Sequence, residues 1–106
     1  MISRHAVVSS AIGLHARPAA EFVRAVSETG LPIRITKVTA DGATSNRTSA
    51  DARSLLEVMT ADFQHGEQVQ LSIEFPANQN AESIQEIDRQ SLERKLEALV
   101  AILERQ

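Results

Sequence analysis

Apolar and polar residues alternate from His5 to Ser10, with Ala6 and Val8 on one face and His5 and Val7 on the other. That is the period of a strand. Ala11-Ile12-Gly13-Leu14-His15 interrupts it as a turn, and the period then lengthens. Ala19, Phe22, Val23 and Val26 fall at i, i+3, i+4 and i+7, which predicts a helix from about Ala16 to Glu28. Pro18 suits its first turn, where backbone N–H groups have no intrahelical acceptor to lose, and Gly30 supplies the stop. Leu31 to Val38 sets Ile33 and Ile35 against Arg34 and Thr36 as a half-buried strand. Asp41-Gly42 marks a hairpin turn, and Thr44 to Thr48 is the polar strand that returns. Ser54 with Glu57 three residues later fits a capping box before a short helix, Leu55 to Ala61. His65-Gly66 then turns the chain into Val69, Leu71, Ile73 and Phe75, the clearest strand of the sequence. Pro76-Ala77-Asn78-Gln79-Asn80 is a polar linker. Beyond it Leu92, Leu96, Leu99, Val100 and Leu103 form the stripe of a final helix. Residues 81–90, with Ile84 and Ile87, read either as a separate turn or as an extension of that helix.

The order is therefore β-α-β-β-α-β-α, an α+β arrangement with helices packed on one face of a mostly antiparallel sheet. The 106 residues suffice for a single domain, 1–106, with one modest core and no internal repeat.

Composition narrows the function. The chain has no Cys, so disulfides, thiolate metal sites and cysteine nucleophiles are excluded. It has no Trp or Tyr and three Phe, which argues against stacking on nucleic-acid bases. A net charge of −3 argues the same way, because binders of phosphate backbones usually carry a basic surplus. No segment approaches the roughly 20 apolar residues of a spanning helix, and Met1-Ile2-Ser3-Arg4-His5 does not begin like a signal peptide. A cytoplasmic protein with neither nucleic-acid binding nor membrane insertion is the expectation.

One stretch is not explained by the needs of a core: Gly13-Leu14-His15-Ala16-Arg17-Pro18-Ala19-Ala20. It puts an imidazole at a helix entrance, where free N–H groups and the positive end of the helix dipole favour an anion. Arg17 can fork onto phosphate or carboxylate oxygens, and an imidazole is largely neutral near pH 7. An anion cradle beside a nucleophilic nitrogen is what a reversible phosphoryl acceptor needs. The same spacing also fits a solvated histidine beside a surface arginine. No metal site is evident, since His5, His15 and His65 are far apart and no motif links them, and the reading calls for no cofactor.

The seven residues Gly13 to Ala19 resemble the active-site motif of the HPr family, the histidine-containing phosphocarriers of the phosphoenolpyruvate-dependent sugar phosphotransferase system. The element order resembles that family over essentially the whole chain. The resemblance implies an open-faced β-sandwich, with three helices covering one side of a four-stranded sheet. It implies that His15 takes a phosphoryl group on Nδ1 from enzyme I and passes it to sugar-specific IIA domains. It further implies that the Arg17 side chain and the N–H groups of Ala16 and Arg17 surround the phosphate, in a protein expected to be a monomer.

Arg53-Ser54-Leu55 resembles the family's regulatory serine segment, which in some members a kinase phosphorylates so that a transcriptional regulator can bind. Read without the resemblance, Ser54 is an N-cap, and Glu57 one turn on would oppose a phosphate there. The family also implies a docking patch for partner proteins, here Leu55, Leu56 and Met59 with Ala20 and Arg24 beside them, while Val58 belongs to the core. Three departures stand out. Ile12 occupies a position where several members carry a polar residue that can touch the imidazole, leaving that bond absent or made by Ser9 or Ser10. The hairpin near 36–50 and the linker near 76–90 are both longer than the family usually shows. Two other functions fit the residues less closely: a regulatory binding module governed by phosphorylation of His15 or Ser54, and a hydrolase using His15 as base. The hydrolase is the weakest, since no motif positions a second catalytic group.

Overall fold

The computed structural model describes residues 2–38, 44–74 and 86–106. Along the chain come β1 (Ser3–Val7), α1 (Ala16–Thr29), β2 (Ile33–Val38), β3 (Thr44–Asp51), α2 (Leu55–Ala61), β4 (Gln68–Ile73) and α3 (Glu86–Arg105). The strands lie side by side in the order β1-β4-β2-β3, and every neighbouring pair is antiparallel. The sequence-based expectation of a mostly antiparallel sheet is met in full.

The two-residue period of the strands decides which face is covered. Ala6, Ile33, Ile35, Ala50, Val69, Leu71 and Ile73 are all buried. The registers Ala6↔Val69, Ile35↔Leu71 and Ile35↔Ala50 bring them together on one side. Against that side α1 lays Ala19, Phe22 and Val26, α2 lays Val58, and α3 lays Leu96, Leu99 and Leu103, all buried. The intervening His5 and Gln68 are exposed on the other face. This is the open-faced sandwich.

Several boundaries differ from the sequence reading. β1 runs from Ser3 to Val7 rather than from His5 to Ser10, because its ladder with β4 already starts at Ser3↔Ser72. Past Val8 the chain is drawn away from the sheet, with the Ser9 N–H donating to the Leu103 carbonyl of α3 at 3.2 Å. β3 reaches Asp51 instead of ending at Thr48, since Asp51 and Ala50 still pair with Arg34 and Ile35. Its polar residues carry no hydrophobic period to announce that length. α3 begins at Glu86, so residues 86–90 extend the last helix. Asp41-Gly42, Phe75, the linker 76–80 and Ile84 lie outside the described residues. On the flanking strands, the β2–β3 register shifts between Thr36 and Val38.

α3 shields the open edge of β1. Its Glu104 carboxylate accepts from the Val7 N–H at 3.3 Å, and Glu93 and Glu97 pair with Arg4 at 3.6 and 3.8 Å. Covering an edge strand in this way removes a template for pairing with other chains. Among the described residues no helix is long and apolar enough to cross a membrane.

Candidate functional site

Two loops meet at the end of the sheet where β1 and β4 run out. The antiparallel pairing continues past both strands, with the Val8 N–H donating to Glu67 O at 3.0 Å and the Gly66 N–H to Val8 O at 2.7 Å. Further along, the Leu14 N–H donates to Phe63 O at 2.8 Å, and both side chains are fully buried. Gly13 makes this approach possible. Its φ is +74°, and a Cβ there would lie 2.3 Å from the Phe63 carbonyl oxygen. The motif ahead of α1 is thereby fastened to the loop that follows α2.

His15 is the residue after this fastening and stands as the N-cap of α1 with extended backbone, φ −129° and ψ 160°. Its side chain makes no capping bond, and the first turn of α1 contains no acidic residue. Ala16, the first helical residue, has φ +50°, a left-handed conformation that a non-glycine residue adopts at a cost of order 1–2 kcal/mol. Arg17 is exposed. Backbone N–H groups at such a helix start have no intrahelical partner, and the dipole adds to their attraction for an anion.

The imidazole is 35% exposed, and its Nε2 lies 2.7 Å from Oδ1 of Asp62. An ionised carboxylate only accepts, so Nε2 is the donor and carries the proton. In the neutral ring the lone pair then resides on Nδ1. Of the two alternatives the sequence left open, a helper bond absent or made by Ser9 or Ser10, neither serine bonds to the imidazole, whose hydrogen-bond partner is Asp62. The Ser10 carbonyl accepts instead from the Gly13 N–H at 3.0 Å and from His65 Nδ1 at 3.1 Å.

Asp62 was not picked out by sequence reasoning. It is the C-cap of α2, with φ 58° and ψ 59°, and its own N–H donates to the Met59 carbonyl at 3.2 Å. The hydrogen bond from His15 holds its carboxyl below the usual carboxylate range, with Gln64 adding to the effect. The available signal was an acidic residue ending a helix in a position that glycine or asparagine usually takes.

The residues assigned to docking fall on the surface. Leu55, Leu56 and Met59 are 40%, 77% and 37% exposed, Val58 is buried, and Ala20 and Arg24 are exposed on α1. Arg24 pairs with Glu28 one turn away at 3.3 Å. Ile12, just before the motif, is a further exposed aliphatic side chain at 57%. Met59 precedes Asp62 by three residues, so the apolar run of α2 leads along one side of the helix toward the imidazole. A groove of about 400 Å³ between β3 and α2 is lined by Thr48, Ser49, Leu56, Glu57, Thr60 and Ala61 and does not include His15.

A family model described as the PTS HPr component phosphorylation site matches residues 2–104. The chain belongs to the HPr family. Over 72 residues it is 44% identical to the phosphocarrier protein HPr of Streptomyces coelicolor, spanning 68% of this chain and 70% of the relative. The crystal structure of a phosphocarrier protein HPr from Bacillus anthracis superposes with a TM-score of 0.65 at 27% identity, covering 96% of this chain and 95% of that one. HPr-C-His from Thermoanaerobacter tengcongensis gives 0.66 at 23% identity, covering 100% and 98%, and shares the fold. HPr membership brings with it the role of phosphocarrier in the phosphotransferase system.

Proposed function

We propose that this chain accepts a phosphoryl group on Nδ1 of His15 from enzyme I and delivers it to sugar-specific IIA domains. The observation that carries the reading is the placement of His15, a half-exposed imidazole at the entrance of a helix whose first turn holds no acid. Nδ1 attacks phosphorus while the bond from phosphorus to the donor breaks and its electron pair leaves with the donor. The Arg17 guanidinium and the N–H groups of Ala16 and Arg17 take up the charge on the phosphoryl oxygens. Phosphoryl transfer depends chiefly on such positioning and charge stabilisation. A ring near the surface can be offered to two partners in turn. Leu55, Leu56 and Met59, flanked by Ala20 and Arg24, supply the surface on which enzyme I and the IIA domains dock. The carrier works as a monomer in the cytoplasm and needs no cofactor.

The test is incubation with phosphoenolpyruvate and enzyme I. An acid-labile phosphate is expected on the protein and absent from His15→Ala. Failure of the unaltered protein to take label from several enzyme I preparations would overturn the carrier reading.

A further inference from the structure

We propose that Asp62 is a positioning residue for His15: its carboxylate keeps the proton on Nε2 and balances the positive charge the ring acquires when Nδ1 bonds to phosphorus. The inference deepens the carrier reading and rests on it for its biological meaning, although the chemistry can be tested without a partner protein.

Asp62 occupies its place against two local preferences. Its left-handed backbone, φ 58°, is one that glycine adopts freely and other residues reach only at a cost. It also sets a negative charge at the C-terminal end of α2, where the helix dipole disfavours anions. The helix end itself does not need the carboxylate. The cap of α2 is made by the backbone, from the Asp62 N–H to the Met59 carbonyl, and any residue able to adopt that conformation would make it. The foremost partner of the side chain is His15, at 2.7 Å, with Gln64 a lesser one. Backbone strain that the fold does not require points to a function.

The charge balance shows what the carboxylate supplies. Before transfer the ring is neutral, with hydrogen on Nε2 and the lone pair on Nδ1. The lone pair becomes the N–P bond, the bond between phosphorus and the donor breaks, and the ring holding both phosphorus and the Nε2 proton carries one positive charge. Asp62 faces that charge directly, as a carboxylate does behind the histidine of a catalytic triad. In the onward step the N–P electron pair returns to Nδ1 and a neutral imidazole leaves. Had Nε2 lost its proton, the leaving group would be an imidazolate, which departs far less readily. One carboxylate thus favours both loading and unloading.

The experiment uses phosphoramidate, a small donor that phosphorylates imidazoles directly, on the unaltered protein, Asp62→Asn and Asp62→Gly. Both variants are expected to load about tenfold more slowly, the scale on which partners that orient a histidine through its second nitrogen act. The unfolding midpoint of Asp62→Gly is expected to be unchanged or higher, because glycine accepts this backbone without strain. Nitrogen NMR of His15 at about pH 8.5, above the ordinary imidazole range, should find the proton on Nε2 in the unaltered protein and a new Nδ1–H fraction in Asp62→Gly. Equal loading rates in all three proteins, or an unchanged proton distribution, would overturn the proposal. So would an Asp62→Gly protein that loads slowly and also unfolds more easily, which would assign Asp62 to the fold. Failure to accept phosphate from enzyme I would bear on the carrier reading alone, since phosphoramidate loading does not depend on it.

Discussion

The entrances of α1 and α2 are built in opposite ways. At α2 the Ser54 hydroxyl accepts from the Glu57 N–H at 3.3 Å, and Glu57 puts a negative charge into the first turn. Just before it, Arg53 forks onto Asp51 at 3.2 and 3.3 Å, and Asp51 also accepts from the Arg53 N–H at 2.9 Å. The second half of the capping box is altered, since the Glu57 carboxylate accepts from the Asp51 N–H at 3.4 Å. At α1 the cap position holds a histidine with no capping bond, the first turn has no acid, and Ala16 is strained. A good N-cap is worth about 1 kcal/mol, and α1 forgoes it. The helix that satisfies its own N-terminus has no use for an external anion, and the one that does not is the one beside the imidazole. A phosphoryl group on Ser54 would stand between Asp51 and Glu57, with the neighbouring Arg53 already engaged.

The comparison breaks most severely at Gly13. α1 lacks a side-chain cap, so its start is held by the backbone approach of Gly13 and Leu14 to Phe63. Gly13→Ala drives a Cβ onto the Phe63 carbonyl oxygen in a left-handed conformation. The expected loss is about 3 kcal/mol in urea unfolding, with phosphoryl acceptance falling along with it. A loss below about 0.5 kcal/mol, the level of an ordinary surface change, would mean the two loops are not fastened there.

Arg17→Glu gives α1 the first-turn acid that α2 already has. Stability should hold or rise slightly, because an acid near a helix start is favourable by about 0.3–1 kcal/mol. Phosphoryl transfer from enzyme I should fall on the order of 100-fold, the cost of losing a charge-stabilising donor and replacing it with an anion. Transfer within a few-fold of the unaltered protein, with circular dichroism unchanged, would remove Arg17 from the phosphate.

The contrast between the two entrances was only half legible in the sequence. Ser54 followed by Glu57 is a local pattern, so the cap and start of α2 could be read directly, and the i, i+3, i+4 stripe placed α1. The motif around His15 likewise lies within one short segment. The hidden part is long-range. Asp62 is 47 residues from His15 along the chain, and no periodicity links them. Their meeting depends on Leu14 bonding to Phe63, a buried aromatic in a loop that no strand or helix pattern claims. β3 was read short for a related reason, because Ser49 and Asp51 show no apolar alternation and are held in the sheet by pairing with β2. Ile2 is buried as well, yet it lies ahead of the segment where alternation was recognised.

A smaller effect comes from exchanging the caps. Ser54→Ala should cost about 1 kcal/mol, whereas His15→Ser, which offers α1 a hydroxyl, should add about 0.5 kcal/mol while abolishing phosphorylation. Opposite signs from the two variants, read in the same urea titration, would place the stability sacrifice at α1. A destabilised His15→Ser would show instead that the imidazole supports the helix start.

The smallest effect is electrostatic and belongs to α2. Hydrogen bonding from Arg53 is the main cause that holds the Asp51 carboxyl below its ordinary range, against a weaker opposing push from burial. A carboxylate whose folded pKa is depressed contributes stability above its unfolded value, and that contribution is lost as pH falls through the folded value. Asp51→Asn should therefore cost about 0.5 kcal/mol at pH 7, a modest figure because the pair is partly exposed and screened by salt. The gap should begin to close below about pH 4, the ordinary value of the unfolded carboxyl, and disappear as the pH falls through the lower folded value. The asparagine oxygen can still accept from the Arg53 N–H, so only the ionic part is removed. A gap that persists unchanged to about pH 3 would mean that geometry rather than charge closes the α2 entrance, and Ser54 would then face less repulsion than its neighbours suggest.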